Sequence, residues 1–172
     1  MAIFVPICLG VIGNYSRGQA DNPKPSNRQE NLSSILPEDR IDPINLLQIW
    51  TNLGITNETP WRKSNYPGSD YTYIGISRKA IKSNEVTCEI LSHSSDHSEQ
   101  ILIGVEIRDT QHAEDAFLLA GDAIKGIGVE APVEVLAAFN VAAPIKMEEW
   151  EVRDESTSSV KEIRLYFHRD GR

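Results

Sequence analysis

Alternation of apolar and other side chains along residues 101–108 constrains the fold of this chain more than any other feature. Successive side chains of a β-strand point to opposite faces, so one face of a strand here would carry Ile101, Ile103, Val105 and Ile107. The opposite face would carry Leu102, Gly104, Glu106 and Arg108. Such a strongly apolar face predicts a strand in a central position of a sheet.

Four further segments have the patterning of strands. They are residues 71–77, 86–90, 147–153 and 160–168. The last two segments are predicted to form a hairpin, with residues 154–159 as the turn. Residues 92–99 are predicted to be a polar connection between strands. Residues 56–70, which contain Pro60-Trp61 and Pro67-Gly68, are predicted to be a loop.

Three segments have helical patterning. Asp42-Pro43 is a favourable helix start, because Asp caps exposed N–H groups and Pro suits the first helical position, and Gly54 is a helix stop. A longer helix is predicted over 113–127, where apolar residues follow helical spacing and glycines end the pattern. A shorter helix is predicted from Pro132 to Asn140.

The order of these elements is helix, three strands, two helices and two strands (α-β-β-β-α-α-β-β). Strands grouped in this way, without strict alternation with helices, predict an α+β domain over residues 41–172. We expect a roughly five-stranded antiparallel sheet with the helices on one face. The other face would be wet or partner-facing, since it would carry Thr87, Glu89, Glu106, Arg108, Glu162 and Arg164.

Residues 1–20 have the features of an export signal. Ala2 to Gly13 is an apolar run of about twelve residues, which suits a secretory signal and is short for a membrane span of roughly twenty. Small residues at Gly18 and Ala20 favour cleavage before Asp21, and residues 21–40 have the composition of a flexible tether. No Lys or Arg precedes the apolar run, so a membrane anchor or a segment packed on the domain are the alternatives. The prediction is an exported protein, periplasmic or extracellular, with a membrane tether through its N-terminus as the alternative to cleavage.

Charge and cysteine content exclude some classes of function. The formal net charge of -8 argues against nucleic-acid binding, which requires clustered Lys and Arg, and is compatible with a soluble protein or a basic partner. With only Cys8 and Cys88, structural zinc is excluded. Cys88 lies on the apolar side of its strand pattern and is predicted to be a buried hydrophobe. No cofactor is predicted.

His93, Asp96 and His97 form the most chemically suggestive cluster. Two histidines four residues apart bind metal when they lie on a helix, but this stretch is rich in serine and has no apolar helical face. A solvated hairpin loop is therefore the favoured interpretation, with a metal site or small hydrolase as the alternative. No Gly-x-Ser-x-Gly motif is present, so no catalytic residue is assigned.

Four aromatic residues precede or begin the first predicted strand: Trp61, Tyr66, Tyr71 and Tyr73. Such a group is a candidate partner surface, because aromatic side chains are enriched in protein interfaces. The alternative is that they cover the end of the core, with Trp61 packed on the first helix.

From Asp42 onward the chain resembles a family of uncharacterised bacterial secreted or membrane-tethered proteins, a domain of unknown function. The matching features are Asp42-Pro43, Trp50, Gly54, Trp61, Pro67-Gly68 before Tyr71, the strand 101–108, Ala116-Phe117 and Ala131-Pro132-Val133. The chain departs from that family in lacking a second core-strand cysteine and in its more acidic final hairpin. The resemblance implies a non-enzymatic envelope protein. The element order also looks like that of type III secretion chaperones, which are small, acidic and cytoplasmic.

Together these patterns predict an exported, non-catalytic binding module whose partner is a protein and whose ligand is unknown. A small hydrolase or metal-dependent enzyme using the His93, Asp96 and His97 loop is the first alternative. A cytoplasmic, secretion-chaperone-like dimer is the second.

Overall fold

Seven antiparallel strands form one open sheet in the computed structural model, which describes residues 40–65, 67 and 69–169. The strands are β1 (Thr56–Lys63), β2 (Tyr73–Ile81), β3 (Asn84–Ser92), β4 (Gln100–Ile107), β5 (Ile145–Met147), β6 (Trp150–Asp154) and β7 (Lys161–His168). Their spatial order is β1-β2-β3-β4-β7-β6-β5. The predicted signal over 1–20, nearly all of the tether over 21–40, and Tyr66 lie outside the described residues.

Three α-helices cover one face of this sheet: α1 (Pro43–Asn52), α2 (Ala113–Lys125) and α3 (Val133–Val141). A 3-10 turn, Thr110–His112, leads into α2. Within the described ranges, no helix has the length and apolar character needed to cross a membrane. The single antiparallel sheet and the helices packed on it confirm the predicted α+β class.

The alternation predicted for the central strands is confirmed by their registers. Val105 of β4 pairs with Val86 of β3 and with Ile163 of β7, and the next two rows on this face have the same apolar composition. Those rows are Cys88–Ile103–Leu165 and Ile90–Ile101–Phe167. The side chains of all three rows are at most 1% exposed. The helices pack on this face, so it carries the core.

Two edge strands were absent from the sequence prediction. Residues 56–63, assigned to a loop, form β1, and residues 145–147 form the short strand β5. β1 contains Pro60 and two irregularities in its register with β2, both features of edge strands, and they remove the alternation that identifies a strand. The predicted strand 147–153 is in fact the end of β5, a turn and β6. The sheet thus has seven strands instead of five.

The helix layer is held together where α1 meets the end of α2. Asp42 caps α1 as predicted, accepting hydrogen bonds from the N–H groups of Ile44 and Asn45. Trp50 is fully buried, and its Nε1 donates to the carbonyl oxygen of Ala123 at 3.2 Å. A Cβ at Gly126 would lie 2.9 Å from the Ile49 side chain, so glycine permits this close packing.

Two buried polar residues on the core face differ in how they are satisfied. The Oδ1 atom of Asn84 accepts hydrogen bonds from the N–H groups of Arg108 and Asp109, and its Nδ2 donates to the Asp109 carbonyl. Asn84 thereby ties the β2–β3 turn to the segment that leads from β4 to α2. The buried Ser77 hydroxyl, in contrast, has no hydrogen-bond partner among the residues that the structure describes.

This contrast predicts opposite effects of two alanine substitutions. Asn84→Ala leaves two N–H groups and a carbonyl without their partner, so we expect it to lower the free energy of unfolding by about 2–4 kcal/mol. Ser77→Ala removes an unpaired hydroxyl, so we expect an unchanged or higher stability, by up to about 1 kcal/mol. Urea denaturation of both variants measures this difference. Equal losses in the two variants would contradict the assignment.

Candidate functional site

A groove of about 900 Å³ lies between α2 and α3 on the outer side of the helix layer. Its apolar lining residues are Phe117, Leu118, Ile124, Val129, Ala131, Leu136 and Phe139. The rings of Phe117 and Phe139 meet edge to face, with centroids 5.5 Å apart. Ligand and partner sites are typically concave and largely apolar, so this groove is the leading candidate site.

Helix α3 has an apolar stripe on its outer side as well as an apolar buried side. Val133, Ala137 and Val141 are spaced four residues apart and are all exposed, the two valines at 73% and 72%. Leu118 of α2, beside the groove, is 63% exposed. A surface helix normally has a polar outer side, and a helix that is apolar all round is normally buried. The stripe Val133–Ala137–Val141 and the groove therefore form one apolar surface, which we call the α2–α3 surface.

Carboxylates border the groove. Glu114 lies in the first turn of α2, Asp122 lies near the other end of this helix, and Glu130 lies in the connection that follows. Lys125 pairs with Asp122 at 2.9 Å. No Lys, Arg or His nitrogen of the described chain is paired with Glu114 or Glu130, so the border carries uncompensated negative charge.

Gly121 lies in the middle of α2 and lines the groove. A Cβ built at this position has no heavy atom within 4 Å. Glycine in a helix interior is less favourable than alanine by roughly 0.5–1 kcal/mol, and no contact in the described structure requires it here. The backbone of α2 is consequently open to direct approach at the floor of the groove.

The loop between β3 and β4 brings the predicted histidine cluster together with a residue that was not predicted, Glu99. His93 Nδ1 lies 2.6 Å from Glu99 Oε2, and His97 Nε2 lies 3.8 Å from Glu99 Oε1. His97 Nδ1 also lies 2.8 Å from Asp96 Oδ1. Among the described residues, no three His, Cys, Asp or Glu side chains are placed to hold a metal ion.

Hydrogen bonds within this loop shift the pKa of several groups. Those from Ser94 and His97 lower the pKa of Asp96 to about 2. The hydrogen bond to Glu99 raises the pKa of His93. Burial acts to raise the pKa of Glu99, but the hydrogen bonds from His93 and Ser92 outweigh it and the net shift is downward.

Of the aromatic residues predicted as a partner surface, Trp61, Tyr71 and Tyr73 are described, and they lie beside this histidine loop. Trp61 stacks on Tyr73 with ring centroids 5.8 Å apart, and its Nε1 donates to the Ser95 carbonyl at 2.9 Å. Tyr71 contacts the His93 ring at 5.1 Å. Trp61 also packs against the edge of the core, where it and Leu47 of α1 flank Gly75. The loop, Trp61, Tyr71 and Tyr73 therefore form one corner of the domain.

The open face of the sheet, opposite the helices, carries ion pairs within strands β6 and β7 and between β7 and the turn that precedes it. Arg153 binds Glu151 through two hydrogen bonds of 2.8 Å and lies 4.5 Å from the centre of the Tyr166 ring. Arg164 pairs with Glu162 at 2.7 Å and with Glu155 at 3.1 Å. Burial and the Glu155 hydrogen bond raise the pKa of Tyr166 to about 12. The arginines and glutamates of this face are therefore largely paired with one another.

Sequence reasoning missed the α2–α3 surface. Two signals could have indicated it: Leu118 interrupts the polar side of α2, and the nine residues of α3 include one charged residue, Glu134. Cys88 is buried as predicted, and burial raises the pKa of its thiol.

No family model, curated protein or solved structure matches this chain.

The His93–Glu99 contact predicts a measurable pH dependence. The pKa of His93 is raised above its ordinary 6.5, so its contribution to stability is complete below pH 6.5 and is lost as pH rises through the folded-state value. The pKa of Glu99 is lowered below 4.5, so its contribution is complete above pH 4.5 and is lost as pH falls. The pair is fully effective between these limits. In an NMR titration, Glu99→Gln should return the pKa of His93 toward 6.5, while Glu58→Gln, the control, should not; equal values in wild type and Glu99→Gln would contradict the pairing.

Proposed function

We propose that this chain is a non-catalytic interaction module that binds a protein partner through the α2–α3 surface. One observation carries the proposal: the outer side of α3 has an exposed apolar stripe, Val133, Ala137 and Val141, beside an apolar groove. Contiguous exposed apolar surface of this kind marks interaction sites in soluble proteins.

The chemistry of the groove supports binding over catalysis. Its lining residues include no Ser, Thr, Cys, His or Tyr side chain, so it offers no hydroxyl or thiol nucleophile and no histidine base. Cys88 is buried under the helices, where its raised pKa disfavours the reactive thiolate. His93 lies in the surface loop and is paired with Glu99. These features favour a module that binds a partner over an enzyme.

Self-association is a less favourable use of the same surface. In a two-fold dimer the same patch faces itself, so the carboxylates Glu114 and Glu130 of one copy would be brought near the carboxylates of the other. Neither carboxylate has a cationic partner in the described chain to offset that repulsion. A different protein, with basic residues opposite these carboxylates, fits the surface better.

The proposal includes export. The apolar run and the polar segment that follows it, residues 1–40, are the sequence features that support a periplasmic or extracellular location. The resemblance to secreted or membrane-tethered bacterial proteins supports the same location. Fusion of residues 1–30 to an export-dependent reporter should give reporter activity, and an inactive fusion would remove this part of the proposal.

Lysine substitution on the outer stripe tests the proposed function. A photo-cross-linking amino acid at position 137, in cells of the source organism, should form an adduct with one partner, which is then identified and purified. Val133→Lys/Val141→Lys should weaken binding of that partner at least tenfold, because the interface would bury unpaired charges where it now buries valines.

Ile44→Lys is the matched control, since Ile44 is a similarly exposed apolar residue (66%) on α1. It should leave the Kd of the partner within twofold of wild type, and all variants should keep the wild-type Tm to within a few degrees. An absent adduct, or unchanged binding by the double variant, would overturn the proposal.

A further inference from the structure

Gly121 is the feature of the groove that the fold itself does not explain. Its position in the middle of α2 calls for a residue with higher helix propensity, and no atom of the described structure occupies the space where its Cβ would lie. Glycine is used in such positions where another backbone or a ligand must approach closely. Gly121 therefore indicates the point of closest approach of whatever enters the groove.

The groove is large enough to hold one side of a short helix. Two turns of an α-helix, taken as a cylinder about 10 Å wide and 11 Å long, occupy roughly 850 Å³, which is close to the 900 Å³ of the groove. A helix lying on a surface inserts about half its cross-section, so the same volume accepts one side of about four turns. Helix α2, with 13 residues, is itself about 20 Å long.

The carboxylates are placed at both ends of this groove. Glu114 lies in the first turn of α2, whereas Glu130 follows its last turn. Glu114 and Lys125, the two ends of the groove-lining face of α2, are eleven positions apart, which corresponds to about 16 Å along the helix. Lys125 is paired with Asp122, so Glu130 remains the uncompensated charge at that end.

We propose that the groove binds a helical segment of the partner protein that packs on α2 with its closest approach at Gly121. Its apolar side contacts Phe117 and Leu118, and a Lys or Arg near each end of that side faces Glu114 or Glu130. This inference rests on the proposed function and specifies its partner. It uses the helix-in-groove mode of recognition, in which apolar anchors supply affinity and flanking charges supply orientation.

Two substitutions at Gly121 distinguish an effect on binding caused by filling the groove from an effect caused by unfolding. Gly121→Leu places a branched side chain in the space that the partner helix would use, whereas Gly121→Ala adds one methyl group. Both should preserve or raise the Tm, because both replace glycine in a helix by a better helix former. The Leu variant should weaken helix binding at least tenfold, and the Ala variant should weaken it less than threefold.

A displayed library of 18-residue helical peptides is the probe. Each peptide carries the same Leu/Ala apolar side, and the residues at the two ends of that side are randomised. Selection on the wild-type chain should enrich Lys and Arg at both ends. Synthetic peptides ending in Lys should bind at least tenfold more tightly than those ending in Glu in fluorescence anisotropy, and this preference should shrink at high salt.

The remaining outcomes overturn the inference. They are a library without binders, a library without enrichment of basic ends, and peptide binding that is insensitive to Gly121→Leu. Self-association lost in Gly121→Leu would identify a second copy as the occupant, and dodecanoate binding tighter than that of any peptide would identify an apolar small molecule. If the cross-linked partner depends on Val133 and Val141 but not on position 121, the proposed function survives and this inference fails.

Discussion

Burial of one face of the sheet is the constraint on which the rest of the structure depends. The central strands β3, β4 and β7 place three rows of apolar side chains on one side, and these rows require cover by the helix layer. Trp50 and its hydrogen bond to Ala123 join α1 to α2 above those rows. Because their inner sides are committed to the core, the helices have only their outer sides available for contact with other molecules.

The two outer surfaces of the domain differ in how many of their charged side chains are paired within the domain and in how much apolar area they expose. On the open face of the sheet, Arg153 and Arg164 are paired with glutamates on the same or neighbouring segments, and Tyr166 donates to Glu155. On the helix layer, Glu114 and Glu130 lack cationic partners within the described chain, and Val133 and Val141 are exposed to solvent. A surface with unpaired charge and exposed apolar area gains more from a partner than one whose groups are already paired.

Much of the fold was predictable because its strongest patterns are local. Asp42-Pro43 begins a helix, alternation identifies the three central strands, and the period changes to that of a helix after residue 112. β1 escaped prediction because an edge strand with Pro60 and two irregular pairings has no regular alternation. β5 is only three residues long, so its pattern cannot be distinguished from that of a turn.

The candidate sites were predictable only in part. The loop containing His93 and His97 and the aromatic residues Trp61 and Tyr71 were recognised as separate groups, but their meeting at one corner depends on how β1 pairs with β2. Glu99 joins the histidines through the loop geometry, and no sequence spacing indicated it. The α2–α3 surface was missed because local periodicity does not specify which side of α3 the sheet covers.

The sequence by itself determined the α+β class, the central strands, the three helices and the burial of Cys88, since each follows from local periodicity or capping. Only the tertiary structure decided which apolar residues are covered. Phe139 and Val141 have similar hydrophobicity and lie two positions apart on α3, yet one is 1% exposed and the other 72%. The difference arises because the sheet covers only one side of α3, so burial depends on packing that periodicity cannot specify.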